Sequence, residues 1–306
     1  MGDERRGRLM GAAAFAMWGL FPLYWPLFEP AGAEEILAHR VLWSVVSLAL
    51  LLAVSRRWAA LRAIWLSPRL RALMSAAGVL IGINWFTYIW GVNNGHVVET
   101  ALGYYINPLV SVLLGVAVLG ERVRRVQWAA LAIGLLAVLV LGLEVGRPPY
   151  IALILAFSFG SYGLIKKKAG VGPTEGITYE SLVLAPVALG YLMWATAEGT
   201  AQLWSHSAWQ LALLPTTGVV TALPLLLFAG SANRISLTSV GLLQYITPTL
   251  QFIIGVAVFH EPMPLARWLG FLLVWLALTI LTVESLVVLR SRTTTGSADE
   301  PAASHA

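Results

Sequence analysis

The sequence predicts an all-helical integral membrane protein: ten transmembrane helices arranged as two inverted repeats of five, with both termini in the cytoplasm. Three observations predict it. The 306-residue chain is 58% hydrophobic and 11% charged, with mean hydropathy +0.77, whereas soluble domains carry roughly 25% charged residues. Apolar runs of about 20 residues, the length that spans a bilayer as a helix, recur along the chain. Finally, the chain repeats itself. His96–Trp128 (HVVETALGYYINPLVSVLLGVAVLGERVRRVQW) aligns without a gap to Ser236–Trp268 (SLTSVGLLQYITPTLQFIIGVAVFHEPMPLARW) at an offset of 140 residues. Leu102, Tyr105, Ile106, Pro108, Gly115, Val116, Ala117, Val118, Glu121 and Trp128 all recur. A shared Pro, Gly, Glu and Trp exceed what common apolar composition gives, and an internal repeat decides architecture.

Taken in order, the first predicted span is Leu9–Phe28, led by Arg5, Arg6 and Arg8. Ala31-Gly32-Ala33 resembles a signal-peptidase site. The run before it is full spanning length and holds Pro22, Tyr24, Trp25 and Pro26, which argues for an uncleaved helix. Arg6 breaks the myristoylation pattern. The remaining spans are Ile36–Val54, Leu70–Trp90, Val97–Leu119, Val126–Leu143, Tyr150–Ile165, Ile177–Thr196, Trp209–Gly230, Leu237–Phe259 and Leu265–Leu289. The sixth is short and carries Ser158, Gly160, Ser161 and Gly163. The first repeat covers 1–146 and the second 147–292; the small, polar tail 293–306 is expected to be disordered.

Orientation follows from Lys and Arg. With ten spans and a cytoplasmic N-terminus, only Arg40, Arg147 and Arg267 of the 20 basic residues fall on the outer side, so seventeen lie inside. Between spans two and three, Trp58, Leu61 and Trp65 recur at helical spacing among arginines, as in a helix lying on the membrane surface. Lys166–Lys168 reads as a topology anchor. Five spans per repeat is an odd number, so the two repeats cross the membrane in opposite senses. Such inverted repeats give secondary transporters two near-equivalent packings, open to either side.

The string Asn84–Pro108 (NWFTYIWGVNNGHVVETALGYYINP) and Ile36–Arg40 (ILAHR) resemble the RarD proteins, EamA-type permeases of the drug/metabolite transporter superfamily. The resemblance covers about residues 5–290. It implies two inverted EamA units, a bacterial inner-membrane location and transport of a small metabolite, and it supplies no substrate. The second unit has Thr247 where the first has Asn107, so any role for the asparagine is not symmetric.

Several residues are candidates for function. Pro108 and Pro248 remove backbone donors in mid-helix and free the carbonyls of Tyr104 and Gln244. They are read as mirrored kinks beside a central cavity, or as packing relief that membrane helices tolerate. Tyr104, Asn107 and Ser111 share one helix face, and Gln244, Thr247 and Gln251 repeat the stripe. The stripes suggest a hydrophilic substrate site, or else interhelical hydrogen bonds worth roughly 0.6 kcal/mol each. Asn84 and Tyr88 lie one turn apart on the third span, with Trp18, Tyr24, Trp85 and Trp90 as possible aromatic walls, although most of the 13 tryptophans are expected to anchor at the interfaces. Gly78-x3-Gly82 and Gly91-x3-Gly95 read as close helix packing.

Arg40 and Glu99 sit at similar depth inside spans that start on the outer side, flanked by His39 and His96. An ionisable residue within a span seeks a partner, so Arg40 and Glu99 are expected to pair as an outer gate. Either could exchange its partner for a charged substrate group, and Glu99 is the candidate proton acceptor if coupling is to protons. The bland alternative is that both side chains snorkel to the headgroups.

Enzyme readings fail on inventory. The two aspartates, Asp3 and Asp299, lie in the tails; no Gly-x-Ser-x-Gly elbow and no P-loop occur; and His260-Glu261 is followed by Pro-Met-Pro rather than a second zinc-binding histidine. With no cysteine, disulfides, thiolate metal sites and thiol nucleophiles are excluded, while the redox compartment stays open. No cofactor or metal is expected. The net charge of +5 sits in short clusters between spans and does not point to nucleic acid. The sequence therefore favours a secondary transporter working by alternating access in a lipid bilayer, over a membrane scaffold or a passive channel.

Overall fold

The computed structural model of the chain describes residues 2–120, 123–202 and 207–296, and its described regular structure is entirely helical. The first span forms but breaks: α1 (Gly2–Gly19) leads into a short α2 (Phe21–Tyr24) and a 3-10 turn (Trp25–Phe28), at a bend of 46°. Pro22 lacks the N–H that would bond the Trp18 carbonyl, and this missing bond accounts for the bend. There follow α3 (Ala33–Ser55), the short α4 (Trp58–Leu66), α5 (Pro68–Asn93), α6 (Val97–Leu119) and α7 (Arg125–Val145). The second half holds α8 (Tyr150–Ala169), α9 (Pro173–Ala197), α10 (Ala208–Ala232), α11 (Leu237–Leu243), α12 (Ile246–Ala257) and α13 (Leu265–Gly296).

Local chemistry sets these boundaries. Ser67 caps α5, its hydroxyl accepting from the Leu70 amide at 3.3 Å, and Pro68 occupies the first helical position, where a missing N–H costs nothing. Pro173 opens α9 in the same way, with Glu175 in the first turn. Gly146 ends α7 at φ +69°, and Pro148-Pro149 prevents any continuation into α8. The helix α13 runs to Gly296, four residues into the tail expected to be disordered; 297–306 lies outside the described residues. An apolar helix whose backbone bonds are already in register extends easily through one more turn.

The 140-residue offset extends well beyond the repeated strings. Ala33, Pro68, Val97 and Arg125 open α3, α5, α6 and α7; Pro173, Ala208, Leu237 and Leu265 open α9, α10, α11 and α13, each 140 residues later. Packing follows the same correspondence. The main contacts are α7 with α13, α6 with α8, α5 with α8, α3 with α9, α1 with α10, α3 with α10, α6 with α12, α5 with α9, and α1 with α12. Exchanging each helix for its counterpart (α1 for α8, α3 for α9, α5 for α10, α6 for α11–α12, α7 for α13) returns this same set. Glycines let the exchanged crossings approach closely. A Cβ on Gly78 of α5 would lie 3.3 Å from the Glu180 carbonyl oxygen of α9, and one on its counterpart Gly218 of α10 would overlap the Trp43 carbonyl of α3.

Eight helices among the described residues are long and apolar enough to cross a membrane, and the bent α1–α2 pair makes a ninth. The helix α8 falls short because its apolar part stops at Ile165 and runs into Lys166–Lys168. Leu50, Val54, Leu143, Val187 and Leu265 present largely exposed side chains, as helices facing hydrocarbon do. The chain is a multi-pass membrane protein.

Candidate functional site

The two proline helices behave differently. The helix α6 runs unbroken through Pro108, whereas the ninth span divides at Gln244–Tyr245 into α11 and α12, one turn before Pro248. The carbonyl of Gln244, deprived of the Pro248 donor, accepts from the Thr247 amide at 3.3 Å. The side chains beside this break bind the first helix. Thr247 Oγ1 donates to the Phe15 carbonyl at 2.8 Å, and Gln251 Nε2 donates to the Trp18 carbonyl at 3.3 Å. The Trp18 carbonyl is the one that Pro22 frees, so a side chain of one interrupted helix satisfies the carbonyl left open in the other. Gln244 is half-buried beside the break.

On α5, Asn84 joins three helices. Its Nδ2 donates to the Leu155 carbonyl at 3.1 Å and to Ser158 Oγ at 3.0 Å on α8, and its Oδ1 accepts from Tyr104 OH of α6 at 3.1 Å. Tyr88 packs edge-on against Tyr104 with centroids 5.7 Å apart, and its hydroxyl is buried without a partner. Asn107, one turn on from Tyr104, has a buried and unpartnered Oδ1, while Ser111 of the expected stripe is exposed. Trp18 packs against Phe15 and Phe228. Trp90 stacks on His96 at the end of α5, away from this group.

The expected Arg40–Glu99 pair is not formed, and each residue has other partners. Arg40 is 4% exposed on α3; its Nε donates to Thr221 Oγ1 of α10 at 3.2 Å, and its guanidinium lies 4.0 Å from the Trp85 ring centroid and 5.0 Å from that of Trp25. Glu99 sits instead at the N-terminal end of α6, accepting from Arg147 at 3.4 Å and from the Ile151 amide of α8 at 3.1 Å. The reason is helix position. The first turn of α8 presents an unsatisfied amide to Glu99, and the α7–α8 connector delivers Arg147 beside it, while the neighbours of Arg40 are aromatic rings and α10.

Glu99 belongs to a cluster at one end of the bundle. Glu261, after α12, accepts from the Val97 and Val98 amides at the start of α6. Burial pushes its carboxyl above the usual carboxylate range, against the opposing pull of the two amides and Arg267. A cleft of about 200 Å³ separates these groups and is also lined by His96. Glu121, the counterpart of Glu261, lies outside the described residues. An exchange experiment separates the observed pair from the expected one. Glu99→Arg with Arg147→Glu is expected to recover most of the folded yield lost by either change alone, and Arg40→Glu with Glu99→Arg to recover none, as read by size-exclusion profiles of detergent extracts. The Arg147 effect is expected within about 1 kcal/mol, since its side chain is partly exposed.

One buried carboxylate is not among the residues that the local sequence singles out. Glu180 of α9 is fully buried, accepting from Lys166 Nζ at 2.9 Å and Tyr162 OH at 3.1 Å, both on α8. The offset was its signal: Glu180 is the counterpart of Arg40, and the buried Glu175 that of the buried Glu35. Lys166 therefore does more than mark topology. Glu175 accepts from the exposed Arg57 at 3.1 Å.

Comparison with known proteins agrees with this architecture. The pattern of the EamA-like transporter family matches residues 5–143 and again 149–283. A Streptomyces exfoliatus protein named Protein RarD is 51% identical, over 93% of this chain and 90% of its own. A Bacillus subtilis (strain 168) protein described as Uncharacterized transporter YojE is 45% identical, over 93% and 96%. One crystal structure, 18% identical, superposes with a TM-score of 0.59 over 90% of this chain and 97% of its own, a likeness of fold.

Proposed function

The chain belongs to the EamA-like transporter family and is a membrane transporter of the drug/metabolite type; from that premise we propose that it carries a small organic molecule across the bacterial inner membrane by alternating access between two inverted five-helix halves. The observation that carries the reading is the packing pattern, which maps onto itself when the halves are exchanged. A protein built this way has two packings of similar free energy, related by swapping the roles of its halves. The basic residues support an assignment of the Lys166 end to the cytoplasm, with both termini there and ten crossings in all.

Asn84, Tyr88, Tyr104 and Asn107, with Trp18 at the side, are the proposed substrate-facing groups. Thr247 and Gln251 join the Pro248 break to α1, with Gln244 beside the break; Pro248 and Pro108 are the proposed hinge pair, the first at an interrupted helix and the second within a continuous one. Glu99, His96 and Glu261 line the proposed outer gate, closed by the carboxylate on the α6 amides rather than by Arg40. Protons are the candidate coupling ion, and Glu99 and Glu180 are carboxylates placed to accept them. The function needs no nucleic acid and no cofactor.

Purified protein in liposomes tests this reading. A carrier gives saturable flux and counterflow, a channel gives flux without counterflow, and a scaffold moves nothing. Reporters fused after Arg125 and after Lys168 should read cytoplasmic, and one within 199–205 external. An external signal after Lys168 would remove the inverted arrangement.

A further inference from the structure

We propose that Arg40 binds the carboxylate of the transported molecule, so that the substrate is a monoanionic organic acid with a planar or apolar body. This names the substrate class of the carrier proposed above and rests on that reading.

Arg40 is an incompletely partnered cation. A guanidinium carries five N–H donors and stays charged at any physiological pH. Arg40 uses one, Nε, on a neutral hydroxyl; among the described residues its terminal nitrogens make no hydrogen bond and no carboxylate pairs with it. The titratable groups that face it are the phenols of Tyr24, Tyr88 and Tyr104. Ring faces at 4.0 Å and 5.0 Å offset part of the lost hydration. They do not replace a counter-charge, because a buried charge is ordinarily paired. The contrast lies within the same molecule: at the equivalent position of the other half, Glu180 has both a cation and a phenol.

The surroundings specify what is missing. Two further donors of the same aromatic group, Tyr88 OH and Trp25 Nε1, are buried without partners. A guanidinium, a phenol and an indole N–H together present hydrogens and call for acceptor oxygens. The charge present is a single positive one, so one negative charge neutralises the site. A monocarboxylate meets that condition, while a phosphate dianion overshoots it and a zwitterion leaves it unneutralised. The rings of Tyr24, Tyr88 and Tyr104 beside the guanidinium suit a planar or apolar body next to the carboxylate.

The test uses the full-length protein in detergent, titrated with benzoate, phenylacetate and indole-3-acetate against their primary amides, by thermal shift and intrinsic tryptophan fluorescence. The amides keep shape and lose charge. At least one acid is expected to bind saturably, with its amide at least about tenfold weaker. Arg40→Gln should abolish that preference, Arg40→Lys should keep part of it, and Thr221→Val, which leaves the charge in place, should keep the preference. Absence of acid-over-amide preference in the wild type overturns the proposal even if Arg40→Gln fails to fold, and so does a preference that survives in a folded Arg40→Gln. Liposome flux keeps the two readings apart. An acid that binds with the preference but never crosses defeats the carrier and leaves the anion site standing; counterflow of neutral molecules alone does the reverse.

Discussion

Lys166→Met is expected to destabilise the protein more than any other single loss of a basic residue, and Glu180→Leu in the same chain to restore most of what it removes. Glu180 has no exposure and depends on Lys166 and Tyr162, with Lys166 itself 16% exposed. Removing the cation leaves a carboxylate among α5, α8 and α9 with one phenol as donor. Breaking a buried pair from one side costs about 3–5 kcal/mol, whereas replacing both members with apolar groups is often neutral. Uptake of a proton by the stranded carboxylate limits the loss, so the lower end of that range is expected. Glu180→Leu alone should cost less, because the Lys166 stem can swing its ammonium toward the nearby end of the helix. Thermal unfolding of the two single variants and the double variant in detergent gives the coupling directly. Additive losses would mean that the pair has no energetic link.

Gly218→Ala is expected to reduce folded yield sharply, and Gly218→Leu to abolish it. The α3–α10 crossing brings the Trp43 carbonyl against the Cα of Gly218, and a Cβ there meets backbone, which cannot rotate away. Inserting methylenes where side chains can shift costs about 1–3 kcal/mol, and an unyielding backbone puts this site at or above the upper end. The helices forced apart also carry Arg40 and Thr221, so that contact is lost with the packing. Gly78→Ala, at the matching α5–α9 crossing, meets the Glu180 carbonyl at 3.3 Å and should be milder. Gly190→Ala, with nothing within 4 Å, should leave yield unchanged or slightly improved. Equal yields for Gly218→Ala and Gly190→Ala would contradict the close crossing.

Much of the architecture is legible from the chain because its information is local. Apolar length, the proline and glycine stops and the repeated string locate helices α3 to α13 to within a few residues, apart from the longer end of α13. Of the two mirrored prolines expected to kink their helices, Pro248 lies beside a break and Pro108 does not, so the missing N–H alone does not decide where a helix parts. The first span was equally open to a proline kink, since Pro22 frees Trp18 as Pro248 frees Gln244, but its apolar length masked the bend. Partners are less legible. Nothing local says that Glu99 meets a connector arginine and an α8 amide, or that Arg40 meets the rings of Trp85, Trp25 and Phe21 and a threonine on α10. Those depend on which helices adjoin, a non-local fact. Glu180 lies between: its pairing is non-local, but its place opposite Arg40 is written in the 140-residue offset.

Alternating access is the central claim, and the absence of cysteine from the chain makes one test clean. Asn107 is half-buried midway along α6, its Oδ1 unpartnered, between the Glu99 and Lys166 ends of the bundle. With Asn107→Cys as the sole thiol, a membrane-impermeant maleimide is applied to right-side-out and to inverted vesicles loaded with a small impermeant dye. Alternating access predicts labelling from both sides with the dye retained. Labelling from one side only, from neither, or together with loss of the dye would contradict it.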